Sequence, residues 1–344
     1  MIDLKMGLAR HALGRTIVAV AASALIASCQ SASAPTGPAL TQLSGTETGD
    51  ILYESRSPYD FVNMIDGSAP EVTVPATLTF PDGANPGTPV PAVIIMHDSA
   101  GVDAVHEHAY ASMLNREGYA TLVVDSYGAR GIRSTEANQT LVTAVMMLAD
   151  AYAGLNLLSS DPRIDGSKVA VMGFSKGGMV ALYSSLEQVR KWFATGDDRF
   201  AAHVPIYPYC GLLPDETELT GAPVKMLLGG LDDYTPVSQC QTVQEHVDPE
   251  GTLMTLEIYK GAYHSFDGSW NVEREPFFNP SDCHFSFGSD GITRERGTGR
   301  IASTAEQRQE VLSDCGSMGI TSGRNSQASA QARQDLKSFL SATF

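Results

Sequence analysis

Residues 168–178 read K-V-A-V-M-G-F-S-K-G-G and constrain the rest of the chain more than any other stretch. Val169, Ala170, Val171 and Met172 form an uninterrupted apolar run, which suits a strand covered on both faces. Gly173-Phe174-Ser175-Lys176-Gly177 then turns the chain, and the run from Met179 to Leu182 suits a helix. Strand, tight turn and helix around G-x-S-x-G make a nucleophile elbow, in which flanking glycines give the serine backbone room and hold its hydroxyl over the sheet edge. In a chain of 344 residues with 32 glycines the pattern alone also arises by accident, so its context must carry the reading. Without partners, Ser175 would be a helix-capping serine in an ordinary connection.

The context is a repeating strand and helix rhythm. Alternation over Glu71–Phe80 predicts an early strand, with Pro75 pointing to a sheet edge. Apolar runs at Val90–Met96, Ala120–Asp125, Ala201–Tyr207, Val224–Leu228 and Leu253–Tyr259 predict buried strands. Between them, helix-period residues run from Tyr110 to Glu117, and Leu141, Val145, Leu148, Tyr152 and Leu155 share one helical face. Ala332, Leu336 and Leu340 mark a last helix over 328–340. The expectation is an α/β fold, a mostly parallel central sheet flanked by helices.

Three of these strands end in chemistry. Ser175, Asp232 and His264 each follow a predicted strand directly, in the order nucleophile, acid, base. The carboxyl ends of parallel strands lie on one edge, so residues distant in sequence can converge there. A serine hydroxyl needs a neutral imidazole to accept its proton, and a carboxylate on the other ring nitrogen fixes the tautomer. Asp233 is the rival acid, otherwise a cap for the following helix. The backbone N–H groups of Ser99 and Lys176 are the expected oxyanion donors.

Lys5, Arg10 and Arg15 precede a 13-residue apolar run, Thr16–Ser28, too short to span a bilayer but suited to an export signal over residues 1–28. It ends Leu25-Ile26-Ala27-Ser28-Cys29, which resembles a bacterial lipobox and predicts lipidation at Cys29. That would tether the protein to a membrane of the cell envelope, facing the periplasm. The competing reading is a freely secreted protein. Residues 29–49, rich in Ser, Thr, Ala, Gly and Pro, read as a flexible linker, and 50–344 as one domain. Removing residues 1–28 leaves 23 − 3 = 20 basic and 39 − 1 = 38 acidic residues, a net charge of −18, which argues against nucleic acid as a partner. The polar, Gly-rich stretch at about 267–324 reads as an insertion that either covers the site or decorates the surface.

Cys210, Cys240, Cys283 and Cys315 are an even count behind an export signal, which favours disulfides over four buried thiols. Of three possible pairings, Cys210–Cys240 and Cys283–Cys315 are favoured. Each would close about 30 residues and contribute about 3 to 4 kcal/mol on the chain-entropy estimate.

Several segments together carry a family resemblance: H-D-S-A-G-V at 97, D-S-Y-G-A-R-G at 125, D-P-R-I-D-G-S-K-V-A-V-M-G-F-S-K-G-G at 161, G-G-L-D-D-Y-T-P at 229 and Y-H-S-F at 263. From about Val90 to His264, and again at the last helix, the chain resembles the dienelactone hydrolase family of α/β-hydrolases. The resemblance implies a cofactor-free hydrolase of small esters or lactones with Ser175, Asp232 and His264 in the catalytic roles. Two departures limit it. Dienelactone-opening enzymes use a cysteine where this chain has Ser175. They also bind the substrate carboxylate with arginines, one shortly after the histidine, where this chain has Asp267 and Gly268. Asp98 and Arg130 are the remaining candidates for substrate binding, with Arg133 a further possible anion partner. An acetyl or carbohydrate esterase, a peptidase of the same fold and a non-catalytic surface binding module are the alternatives.

No metal site is expected. His106 and His108 near Asp103 fit a solvent-facing helix start better than a ligand set, and His97 fits a structural role beside the oxyanion loop. His284 is expected in the polar packing of the insertion.

Overall fold

The computed structural model describes residues 37–103 and 106–344. The expected export signal (1–28) and Cys29 lie outside the described residues. In chain order the elements are β1 (Gly49–Arg56), α1 (Val62–Ile65), β2 (Glu71–Thr79), β3 (Val90–Met96), α2 (Glu107–Arg116), β4 (Ala120–Val124) and α3 (Ala144–Ser159). The elbow region follows as β5 (Ile164–Phe174), α4 (Lys176–Tyr183), α5 (Glu187–Phe193), β6 (Ala202–Ile206) and the short β7 (Leu212–Pro214). Next come β8 (Val224–Gly229), α6 (Val237–Val247) and β9 (Met254–Tyr259). The insertion contributes β10 (Glu273–Asn279), β11 (Phe285–Phe287), β12 (Thr293–Glu295), α7 (Ala305–Cys315) and β13 (Ser317–Ser322), and α8 (Ser326–Thr343) closes the chain.

Eight strands form one sheet in the order β1-β2-β4-β3-β5-β6-β8-β9. β1 and β2 run antiparallel to their neighbours, and every pairing from β4 to β9 is parallel. This is the α/β-hydrolase arrangement. The apolar runs are continuous because both faces are covered. Ile94, Leu122 and Val171 pack with Leu148, Tyr152 and Val180 on one face. Val93, Val123 and Met172 pack with Tyr110, Leu114 and Leu336 on the other.

Some expectations need correction. β2 is not an edge strand but lies between β1 and β4. Pro75 is tolerated because pairing with β4 starts only at Ala76; its carbonyl accepts from the Asp125 N–H at 2.9 Å, so the missing donor falls where that ladder ends. Leu141 is exposed and precedes α3, whose N-cap is Thr143, accepting from the Met146 N–H at 3.2 Å. The linker expected as far as residue 49 is already bound to the body from Leu40. The Leu40 N–H donates to the Leu52 carbonyl at 2.7 Å, and Leu43 is buried with its N–H on Ser160 Oγ at 2.8 Å.

Both favoured disulfides form: Cys210 with Cys240, and Cys283 with Cys315. The first ties the loop after β6 to α6. The second ties the start of β11 to the end of α7. The insertion is built into the body, because β11 pairs in parallel with β7 and Phe285, Phe287, Val311 and Leu312 join the core.

Candidate active site

The elbow forms because two glycines allow it. Ser175 has φ 50°, a left-handed backbone rare for a residue with a side chain. A Cβ on Gly173 would stand 2.3 Å from the Gly177 carbonyl oxygen, and one on Gly177 would stand 2.2 Å from that of Met96, so only glycine fits either position. The Ser175 N–H donates to the Ile206 carbonyl at 2.9 Å, which pins the turn to β6.

The structure brings the three sequence candidates together on the carboxyl edge. Ser175 Oγ is 3.1 Å from His264 Nε2, and His264 Nδ1 is 2.7 Å from Asp232 Oδ2. All three residues are buried. Asp232 is itself oriented: Oδ1 accepts from the N–H groups of Tyr234 and Thr235 at 2.9 and 2.8 Å, and Oδ2 accepts from Thr235 Oγ1 at 2.8 Å. The imidazole lies between two aromatic rings, with the Tyr207 and Tyr234 centroids each 4.8 Å away and edge-on.

Asp233 points elsewhere and does not cap α6. It accepts from the Thr321 N–H at 2.7 Å and Thr321 Oγ1 at 2.9 Å, and so anchors β13 of the insertion. Lys176 opens α4, where first-turn N–H groups have no intrahelical partner. Ser99 follows β3, and both residues line a cavity next to Ser175. The Lys176 side chain does separate work. Its ammonium donates to Thr135 Oγ1 (2.7 Å) and to the carbonyls of Val142 (2.9 Å) and Gln139 (3.3 Å), stapling segment 135–142 to the elbow. Burial, helped by the charge of Arg308, pushes its pKa down to about 7.

Arg130 is not a substrate residue. Its guanidinium donates to Asp150 Oδ2 at 2.8 Å and Oδ1 at 3.2 Å, to Ser57 Oγ and to the Ser126 carbonyl, a buried ion pair fastening the segment after β4 to α3 and the end of β1. Arg133 is exposed. Asp98 does face the site, and burial together with the Glu107 charge pushes its carboxyl up to about 6. His97 is structural: fully buried, with Nδ1 2.7 Å from the Asp98 carbonyl oxygen and its ring against Tyr127. His106 is not a solvent-facing helix start, since Nε2 is 3.1 Å from Asp267 Oδ2. His284 is exposed rather than packed. Among the described residues no group of His, Cys, Asp or Glu could hold a metal ion.

Ser175 stands between two spaces that no local sequence signal marked. One is an inward chamber of about 120 Å³ with largely apolar walls, among them Val145, Leu148, Met179, Phe278, Phe285 and Leu312. The last three come from the insertion, which therefore walls the site rather than decorating the surface. Arg308 also reaches this chamber, 3.6 Å from Asp60 Oδ1. The other space is the outer mouth, bordered by His264, Trp270 and Phe277 and by the carboxylates of Asp98, Glu136 and Glu275.

Comparison with known proteins agrees with this architecture. A sequence of Methylorubrum extorquens with the provisional name carboxymethylenebutenolidase is 25% identical over 199 residues, 54% of this chain and 66% of the relative. The chain thus spans a little under two thirds of the curated relative it matches. A dienelactone hydrolase-like promiscuous phosphotriesterase from metagenomic libraries superposes with a TM-score of 0.52 over 86% of this chain and 99% of that one, at 17% identity, a likeness of fold alone. The propionate-bound esterase 2 of Thermogutta terrifontis, at 13% identity over 75% of this chain and 90% of that one, reaches a TM-score of only 0.46 and carries no argument. The model of the dienelactone hydrolase family matches residues 74–275, more than half of the chain. This chain therefore belongs to the dienelactone hydrolase family.

Proposed function

We propose that the protein is a serine hydrolase that cleaves small carboxylic esters or lactones through an acyl-enzyme, with no cofactor. The observation that carries this reading is the Ser175–His264–Asp232 relay, at 3.1 and 2.7 Å, placed at the entrance of an apolar chamber. His264 Nε2 takes the Ser175 proton as Oγ attacks the ester carbonyl carbon, and Asp232 holds the Nδ1–H tautomer and stabilises the imidazolium. The N–H groups of Ser99 and Lys176 receive the developing oxyanion, a donor typically contributing about 3 to 4 kcal/mol to lowering the barrier. The alkoxide leaves with the proton from His264, and a water activated by the same nitrogen then releases the acid.

Direction follows from which groups border which space. The leaving alcohol must be protonated by His264, which borders the outer mouth, so the alcohol leaves there and the acyl chain occupies the inward chamber. The carboxylates of Asp98, Glu136 and Glu275 at the mouth repel an anionic substrate, and no arginine borders that mouth among the described residues. This favours neutral esters over a dienelactone that bears a carboxylate.

Ser175→Ala is expected to abolish hydrolysis of short p-nitrophenyl esters and covalent labelling by a fluorophosphonate probe while thermal unfolding stays cooperative. Full residual hydrolysis in that variant would end the reading. The amino-terminal segment supports a second element of the proposal, export and lipid anchoring in the cell envelope through Cys29. Incorporation of radioactive palmitate that is lost in Cys29→Ala is the expected result, and an unlabelled native protein would refute it.

A further inference from the structure

Three residues beyond His264, Asp267 stands in the turn that follows the histidine, wholly buried and unused by the steps above. Its carboxylate accepts from Tyr110 Oη at 2.6 Å, from Tyr207 Oη at 2.7 Å and from His106 Nε2 at 3.1 Å. His106 Nδ1 lies 3.2 Å from Glu107 Oε1, and Glu107 Oε2 accepts from the Asp103 N–H at 2.8 Å. One carboxylate thus joins the histidine turn, the residue that directly follows β6 and the first turns of α2, which follow the loop bearing Ser99.

Within the cluster His106 and Asp267 favour their charged forms. Burial alone would discharge His106, yet Asp267 and Glu107 hold its pKa well above the ordinary histidine value. Burial likewise opposes the Asp267 charge, but His106 and the two tyrosine hydroxyls bring it down to about 2. A buried ion pair is poor evidence for stability, because an apolar set of the same shape would often serve as well. What it does supply is a fixed geometry.

That geometry is needed here. Among the described residues, the non-glycine positions with left-handed φ are Ser175 (50°), Tyr207 (36°) and Ser265 (52°). Ser175 is the nucleophile, Tyr207 packs its ring on His264, and Ser265 follows His264 directly. Each such backbone is strained and persists only where its surroundings over-determine it. Asp267 bears on the two that hold the imidazole: it accepts from the Tyr207 hydroxyl, and it lies within the turn that the Gly268 N–H closes on the Ser265 carbonyl at 2.9 Å, so its fixed carboxylate anchors that turn.

We propose that Asp267 is a positioning residue for the hydrolysis: through the Tyr207 ring and the turn at 264–268 it holds the His264 imidazole where Nε2 meets the Ser175 hydroxyl. The inference rests on the serine-hydrolase reading. An error of about 1 Å in a catalytic group can cost about 100-fold in rate. Asp267→Asn keeps the shape but loses the charge and one acceptor. It is expected to lower kcat for p-nitrophenyl butyrate by about 30- to 100-fold with KM within about twofold, and to slow fluorophosphonate labelling of Ser175 in parallel. Tyr207→Phe keeps the ring and deletes only its bond to Asp267, and is expected to lower kcat by about 10-fold. Because Tyr207→Phe removes only a contact that Asp267→Asn already disturbs, the double variant should be no slower than Asp267→Asn alone.

Wild-type kcat in the folded single variants, or a fall in melting temperature with no fall in kcat, would overturn the proposal. If Asp267→Asn does not fold, Tyr207→Phe decides by the same criterion. A Ser175→Ala protein that still hydrolyses ester would instead overturn the underlying reading.

Discussion

The inward chamber yields the sharpest prediction, because its depth converts directly into substrate preference. With the leaving group on the His264 side, each methylene of a straight acyl chain passes from water into walls such as Val145, Leu148, Phe285 and Leu312. Burial of one methylene is worth about 0.8 kcal/mol, or about fourfold in kcat/KM when the chain is held equally in the transition state. Hexanoate has four methylenes more than acetate. The full gain is then about 3 kcal/mol, on the order of 200-fold in kcat/KM, an upper bound if the last carbons begin to crowd the chamber of about 120 Å³. Ala144, at the start of α3, lines this space, and Ala144→Phe would place a ring in it. The assay is steady-state hydrolysis of p-nitrophenyl acetate, butyrate and hexanoate by both proteins. The wild type should climb along the series. The variant should keep its acetate activity within about threefold and lose most of the hexanoate advantage. A wild-type profile that is flat or falls beyond acetate would refute the assignment of the chamber to the acyl group. So would an Ala144→Phe profile that still climbs.

Two further outcomes follow from the fold. The Cys283–Cys315 bridge closes a loop across 32 residues and braces the insertion that walls the chamber, so Cys283→Ser/Cys315→Ser should lower unfolding free energy by about 2 to 4 kcal/mol in urea titrations and reduce hexanoate turnover more than acetate turnover; an equal loss on both esters would contradict the walling role. Burial pushes His203 down to about 3, so between pH 6.5 and 3 the unfolded chain binds a proton that the native one refuses, and this residue's contribution to stability is lost as pH falls through that window. His203→Gln should therefore narrow the stability difference between pH 7 and pH 4.5 by about 2 to 3 kcal/mol, and denaturation midpoints that shift equally in both proteins would refute it.

The insertion gives this molecule a character the eight-stranded scaffold alone would not. Asp233 anchors β13, Cys283–Cys315 holds β11 to α7, and α7 supplies Leu312 and Arg308 to the chamber. The catalytic relay and the pocket it serves are thus built by different parts of the chain, and substrate preference can change through the insertion while the relay stays fixed.

The relay itself was legible in the residues because its determinants are local. A strand covered on both faces must be continuously apolar, a turn in which a Cβ on Gly177 would stand 2.2 Å from a carbonyl oxygen admits only glycine, and parallel strands deliver their following residues to one edge. Ser175, Asp232 and His264 could therefore be named from spacing and order, as could the two disulfides. What depended on contacts between distant segments was not legible. Arg130 looks like a free cation in sequence, and only the fold shows it spent on Asp150. Asp233 and Asp232 are neighbours with the same side chain, and the direction of one turn sends the first to the insertion and the second to the histidine. Pro75 reads as an edge residue until the register shows that the β4 ladder starts one residue later. The chamber walls are assembled from positions as far apart as Val145 and Leu312, and Asp267 meets Tyr110 across 157 residues of chain. Local sequence carries backbone conformation and periodic burial, whereas the shape of a cavity and the partner of a buried charge exist only after long loops have closed, and no local pattern encodes that closure.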